Sequence, residues 1–207
     1  MGLAVMILGE SGTGKSASMR NFKPSEIGIL NVAEKPLPFK AKGFSIGNTD
    51  DYATILKTLA TTKRRVIVID DCQYLMANEY MRRSNEKGYQ KFTDIGKNFW
   101  ELVRYVNKIA SDKIVYFLGH TERDAEGNQK FKTIGKLLDE KITVEGMFTI
   151  VLKTQVADGI YSFATQNSGH DTVKSPMGMF STIQIDNDLK AVDTAIREYY
   201  ELTEDKK

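Results

Sequence analysis

Cysteine is almost missing from this chain: Cys72 is the only one in 207 residues. That excludes an internal disulfide and a cysteine-based metal cluster, and it fits a reducing compartment. Histidine is nearly as scarce. His120 and His170 stand alone, too few for an ordinary zinc site. No apolar run is long enough to cross a bilayer, so no membrane role is expected. The N-terminal apolar run has no basic region before it and does not read as a signal peptide, which suggests a cytoplasmic protein. An excess of charge is missing too. The 29 Lys and Arg against 27 Asp and Glu give a formal net charge of +2, so any nucleic-acid contact has to come from a local patch. There is no internal repeat and no low-complexity tract, and Glu204-Asp205-Lys206-Lys207 reads as a frayed polar end. The rest, 41% hydrophobic and 27% charged, suits one globular domain over residues 1–207.

What is present begins almost at once. Leu3 to Leu8 is a short apolar run that predicts a buried strand. It leads into Gly9-Glu10-Ser11-Gly12-Thr13-Gly14-Lys15-Ser16, which has the Gly-x-x-x-x-Gly-Lys-Ser form of a phosphate-binding P-loop. Ala17-Ser18-Met19-Arg20 can begin a helix. Glycines let the backbone curl so that successive N–H groups face one anion, and a following helix adds its positive end. Gly9, Glu10, Ser11, Gly12, Thr13, Gly14, Lys15, Ser16 and Ala17 thus form the candidate nucleotide site. Lys15 is expected on the β- and γ-phosphates, and the Ser16 hydroxyl on Mg²⁺.

Ile27 to Val32 is the next strand candidate, followed by Ala33-Glu34-Lys35 and a stretch broken by Pro36 and Pro38. Thr49 reads as a helix N-cap before the stripe Tyr52, Ile55, Leu56 and Leu59. Val66-Ile67-Val68-Ile69 predicts a central strand buried on both faces. It ends in Asp70-Asp71, the Walker B pattern, with Asp70 as a Mg²⁺ contact and Asp71 as a water-orienting group or a turn cap. Asn78 to Lys97 interleaves Arg82, Arg83, Lys87 and Lys91 with Tyr80, Tyr89 and Phe92. Such a mixture can track phosphates and stack on bases, or it can be a solvated loop. Helical period returns at Ile95, Phe99, Leu102, Val103, Val106, Ile109 and Ala110. Lys113 to Gly119 is a further core strand, ending at His120, where open α/β sheets bind ligands. Lys130 and Lys132 follow in a polar hairpin or loop, as phosphate contacts or as part of a solvated surface. Asp158-Gly159 is a turn signal between two paired strands, and Asn187 or Asp188 caps a last helix with Leu189, Val192, Ile196, Tyr199 and Tyr200 on one face.

The order of these motifs resembles the RecA-type ATPase core, and more narrowly the small RecA-like ATPases of tailed phages, some of which are recombination or single-strand-annealing proteins. The likeness covers most of residues 1–165. It implies an α/β fold with a mainly parallel central sheet flanked by helices, here with an antiparallel C-terminal hairpin. It implies that Glu34, in Ala33-Glu34, activates the attacking water, that Asp70 completes Walker B, and that His120 senses the γ-phosphate. Two DNA-binding loops map onto Asn78 to Gly96 and Glu122 to Gly135. Three departures stand out. The chain starts at the P-loop strand, without the segment by which RecA proteins polymerise; the sensor is histidine; and the second loop has no clear positive charge.

The resemblance therefore implies a Mg²⁺-dependent ATPase with Lys15, Glu34, Asp70 and His120 in catalysis, Ser16 and Asp70 on the metal, and Arg82, Arg83, Lys87, Lys91, Lys130 and Lys132 on single-stranded DNA. A phage-encoded protein of recombination or strand annealing in the bacterial cytoplasm, assembling with its own copies and meeting a single-strand-binding or replication protein, fits it. The rival is a nucleotide-gated adaptor such as a helicase loader. A small-molecule kinase is disfavoured, because no arginine-rich lid is present.

Overall fold

A computed structural model describes residues 1–202, apart from the side chains at positions 139 and 140; the end expected at Glu204 to Lys207 lies outside the described residues. Along the chain run β1 (Leu3–Gly9), β2 (Ile27–Asn31), β3 (Ser45–Asn48), α1 (Tyr52–Thr61), β4 (Val66–Asp70), α2 (Gln73–Arg82), α3 (Gln90–Val106), β5 (Ile114–Arg123), β6 (Gln129–Phe131), β7 (Ile150–Ala157), β8 (Ile160–Ala164), β9 (Gln184–Asp186) and α4 (Leu189–Tyr199). The strands form one mixed sheet in the order β3-β2-β4-β5-β1-β7-β8-β9, with β6 paired to the outer part of β5. Pairing is parallel from β3 through to β7 and antiparallel for β7–β8 and β8–β9.

Strict alternation of side chains explains the continuous apolar runs. Met6, Leu8, Ile67, Ile69, Val115 and Phe117 face one layer, where they pack on Ile55 and Leu59 of α1, Leu75 and Met76 of α2, and Phe99 and Val103 of α3. Val5, Ile7, Val66, Val68, Tyr116 and Leu118 face the other, against Met19, Phe22 and Leu189, Val192 and Ile196 of α4. A strand covered on both faces has no polar side to show, so β1, β4 and the first half of β5 carry no alternation in hydropathy. The chain is α/β, with a mostly parallel sheet flanked by helices. Among the described residues no helix is long and apolar enough to cross a membrane.

Several local expectations change. Ser16–Asn21 is a 3-10 helix of six residues, not an α-helix. The N-cap of α1 is Asp51, whose carboxylate accepts from the Thr54 N–H, while Thr49 only accepts from the Asp51 N–H. Residues 78–97 are not one loop: α2 and α3 occupy most of them, with a short connection through Gly88 at φ +90°. α3 stops before Ile109, and Ala110 is exposed. Tyr199 and Tyr200 lie partly in solvent rather than in the packed face of α4. The hairpin turn follows expectation, with Asp158 at φ +51° and Gly159 at φ +76°, the left-handed pair that joins twisted strands tightly.

Candidate phosphate site

Parallel strands end on one side of the sheet, and register decides which residues meet there. Gly9 at the end of β1 is paired with His120 of β5, and Asn31 at the end of β2 with Asp70 of β4. Because β5 lies between β1 and β4, the glycine-rich loop after Gly9, the Asp70-Asp71 carboxylates and His120 leave three adjacent strands together. They line one cleft of about 440 Å³, shared with Asn31, Lys35, Pro36, Pro38 and Tyr161.

The loop itself is held from behind. Thr13 Oγ1 and Thr154 Oγ1 are 2.6 Å apart, and Thr154 also donates to the Leu8 carbonyl at 3.2 Å. Only a glycine at position 9 leaves room for this pair, since a Cβ there would collide with both hydroxyls. Gly14 sits at φ +95° with the Tyr161 ring 2.8 Å from where its Cβ would be. Lys15 is buried and bends back on the loop, its ammonium donating to Gly9 O at 2.9 Å and Glu10 O at 2.8 Å. Burial lowers its pKa, against the pull of Asp71 and Asp70. The positive end of a long helix is absent here, so the backbone curl and Lys15 carry the anion preference.

Ser16 Oγ donates to Asp70 Oδ1 at 2.9 Å. Asp70 is 4% exposed, and burial followed by repulsion from Asp71 raises its pKa to about 6. Asp71 goes the other way. Burial pushes it up, but hydrogen bonds from His120 and Lys35, with the Lys35 charge, hold it at about 2. Lys35 Nζ is 2.7 Å from Asp71 Oδ2, and His120 Nε2 is 3.1 Å from Asp71 Oδ1. An ionised carboxylate can only accept, so Nε2 carries the ring proton. The Ser16 hydroxyl and a buried carboxylate short of positive charge suit a hard divalent cation. The described residues hold no cluster of three or more metal-ligating His, Cys, Asp or Glu side chains, but Mg²⁺ commonly takes its other ligands from water and phosphate.

The remaining sequence candidates divide. Glu10 accepts from Gln129 at 2.8 Å and so ties the P-loop to the β5–β6 hairpin. Ser11 and Gly12 line the cleft, as do Ser16 and Ala17. Glu34 does not line it. Its backbone is left-handed, at φ +55°, and its exposed carboxylate makes no hydrogen bond among the described residues. Arg82 pairs with Asp50, and Arg83 with Glu79, Glu86 and Asp94. Lys91 is 8% exposed, donates to the Glu86 carbonyl at 2.9 Å, and lies over the Tyr80 and Phe92 rings. Tyr80 and Phe92 stack on each other instead of facing outward. Arg83 and Lys91 are thus tied up in contacts within the chain, Arg83 at the surface and Lys91 buried, whereas Lys87 and Lys132 are exposed and Lys130 is half-buried. Lys132 lines a groove of about 370 Å³ with Tyr74, Tyr80 and Met81, and His120 forms a wall of both groove and cleft. A larger cavity, about 590 Å³, lies at the other end of β4 among Lys63, Arg64, Lys190 and Arg197. Size does not make it the site of the chemistry, since Lys190 and Arg197 there already pair with Glu26 and Asp193.

Sequence reasoning missed Lys35, Asn31, Tyr161 and Thr154. Lys35 stood beside Glu34 in the pattern, and only the sense of the turn separates them; Thr154 has no local signal. No family model matches the chain, and no curated protein matches it.

Proposed function

We propose that the chain is a Mg²⁺-dependent ATPase of RecA-like type, acting on single-stranded DNA in phage-type recombination or strand annealing. The observation that carries the ATPase reading is the convergence of Lys15, Ser16, Asp70, Asp71 and His120 on one cleft at the ends of three adjacent strands. Ser16 and Asp70 would hold Mg²⁺, which supplies charge neutralisation between the β- and γ-phosphates. Lys15 exchanges two carbonyls for phosphate oxygens. Asp71, which lines the cleft as the outward Glu34 does not, would accept a hydrogen bond from the attacking water, with His120 orienting the carboxylate. The preference for ATP over other nucleotides comes from the resemblance.

The DNA part of the reading is supported by the groove that shares His120 with the cleft and by Lys132 and Lys87. The internal pairing of Arg83 and Lys91 favours a second reading, a nucleotide-gated adaptor that contacts a replication protein. ATP hydrolysis by the purified chain, with and without single-stranded DNA and with Lys15→Ala as the blank, separates them. Stimulation by DNA that weakens steeply with salt supports the first reading. A Lys15-dependent rate that DNA does not change supports the adaptor. A rate that survives Lys15→Ala refutes the ATPase.

A further inference from the structure

The turn that sends Glu34 out of the cleft sends Lys35 into it. Glu34 takes the left-handed conformation, which a side chain with a Cβ adopts only at a cost. The buried Asn31 amide then donates to the Lys35 carbonyl at 2.8 Å, and Pro36 follows. The Lys35 backbone is tied at the end of β2, while its side chain is 59% exposed, with open solvent around it. At rest the ammonium is 2.7 Å from Asp71 and 5.5 Å from the centre of the Tyr74 ring.

We propose that Lys35 is a ligand for the terminal phosphate of a nucleoside triphosphate, supplied by the chain to its own site, and that it sets the preference for triphosphate over diphosphate. This rests on the nucleotide reading above. Lys15 and Lys35 are the two lysines of the cleft, and they approach it from different elements. Lys15 belongs to the loop that cradles the inner phosphates. Ser16 and Asp70 would hold the cation that neutralises the outer phosphates, and the outermost phosphate would then lie toward the carboxyl end of β4, where Asp71 and the Lys35 ammonium meet. A dianionic end group there repels Asp71 and attracts the ammonium bound to it. Lys35 changes partner, and one Asp71 oxygen is released. A diphosphate ends short of this point and leaves the Lys35–Asp71 pair closed.

Calorimetric titration of the full chain with Mg²⁺ and either ADP or a non-hydrolysable ATP analogue tests the idea. Parent protein is expected to bind the triphosphate more tightly. Lys35→Met should weaken the triphosphate about tenfold, the low end for a charge-assisted hydrogen bond at an exposed side chain, and leave ADP within about twofold. Lys35→Arg should keep most of the preference. Equal loss for both nucleotides, or no loss, overturns the inference. So does recovery of the parental ratio in Lys35→Met/Asp71→Asn, which would mean that Lys35 only neutralises Asp71. Lys15→Ala in the same titration checks the site itself. Binding that ignores Lys15, or a parent that binds neither nucleotide, removes the nucleotide reading and the Lys35 inference together; loss of both nucleotides in Lys15→Ala with an unchanged Lys35→Met removes the Lys35 inference alone.

Discussion

Replacing Asp70 with Asn should make the nucleotide-free protein more stable. Asp70 is buried, its neighbour Asp71 is ionised, and its pKa rises from an ordinary 3.8 to about 6. At about 1.4 kcal/mol per pH unit, the ionised carboxylate opposes folding by on the order of 3 kcal/mol above pH 6. The sign follows from proton binding. Between pH 3.8 and 6 the folded chain keeps a proton that the unfolded chain has lost, so stability falls as pH rises through that window and is level above it. The stabilising ionisation of Asp71 titrates between about 2 and 3.8, outside the window. Asn keeps the shape and an oxygen that can accept from Ser16 at the position of Asp70 Oδ1. Thermal unfolding in EDTA is therefore expected to show Asp70→Asn melting roughly 6–12 °C above the parent at pH 8, using about 2–4 °C per kcal/mol for a chain of this size. The gap should close toward pH 4. Mg²⁺ with nucleotide should stabilise the parent more than the variant. A variant that melts at or below the parent at pH 8, or a gap that does not change with pH, would refute the argument that burial and the neighbouring Asp71 destabilise the Asp70 carboxylate until a cation arrives.

Glu34→Gln and Asp71→Asn can be compared in single-turnover hydrolysis. Asp71→Asn should slow the step by about a hundredfold, the low end of the scale for a positioned group that acts on the attacking water. Glu34→Gln should change it little, and the reverse result would return the role to Glu34. Gly14→Ala should weaken nucleotide binding more than Gly12→Ala in the same titration, because both are left-handed but a Cβ on Gly12 meets nothing within 4 Å while one on Gly14 meets Tyr161. Equal effects would mean that backbone strain alone matters. Phe99→Ala should cost about 3–5 kcal/mol in chemical denaturation. The ring is fully buried, stacks on Phe131 at 5.5 Å and meets Phe117 edge-on, so a loss under 1 kcal/mol would show that α3 re-packs.

The buried strands β1 and β4 were legible because each is announced by a local pattern, a continuous apolar run before the glycines and four β-branched residues before two acids. The β7–β8 hairpin was legible for the same reason: Asp158-Gly159 states its own backbone geometry. What could not be read depends on residues far apart in the chain. Arg82 meets Asp50 from 32 positions away, and Lys91, though only five positions from the Glu86 carbonyl it bonds, is buried by the path of the connection between α2 and α3. Their basic-aromatic texture therefore looked like a surface. β3, Ser-Ile-Gly-Asn, is exposed throughout and has no apolar face to announce a strand. Glu34 carries a local motif, but its direction is set by a left-handed turn that neither glycine nor asparagine marks.

The sheet ends in β3 on one side and β9 on the other, with four and three residues respectively. Short, polar rims offer few free amide and carbonyl groups in a row, and such borders resist being extended by a foreign strand. Any contact between copies is therefore expected to use side-chain surfaces and not to continue the sheet from one molecule into the next. Chemical cross-links between copies should avoid residues 45–48 and 184–186, and strand addition at these rims is disfavoured.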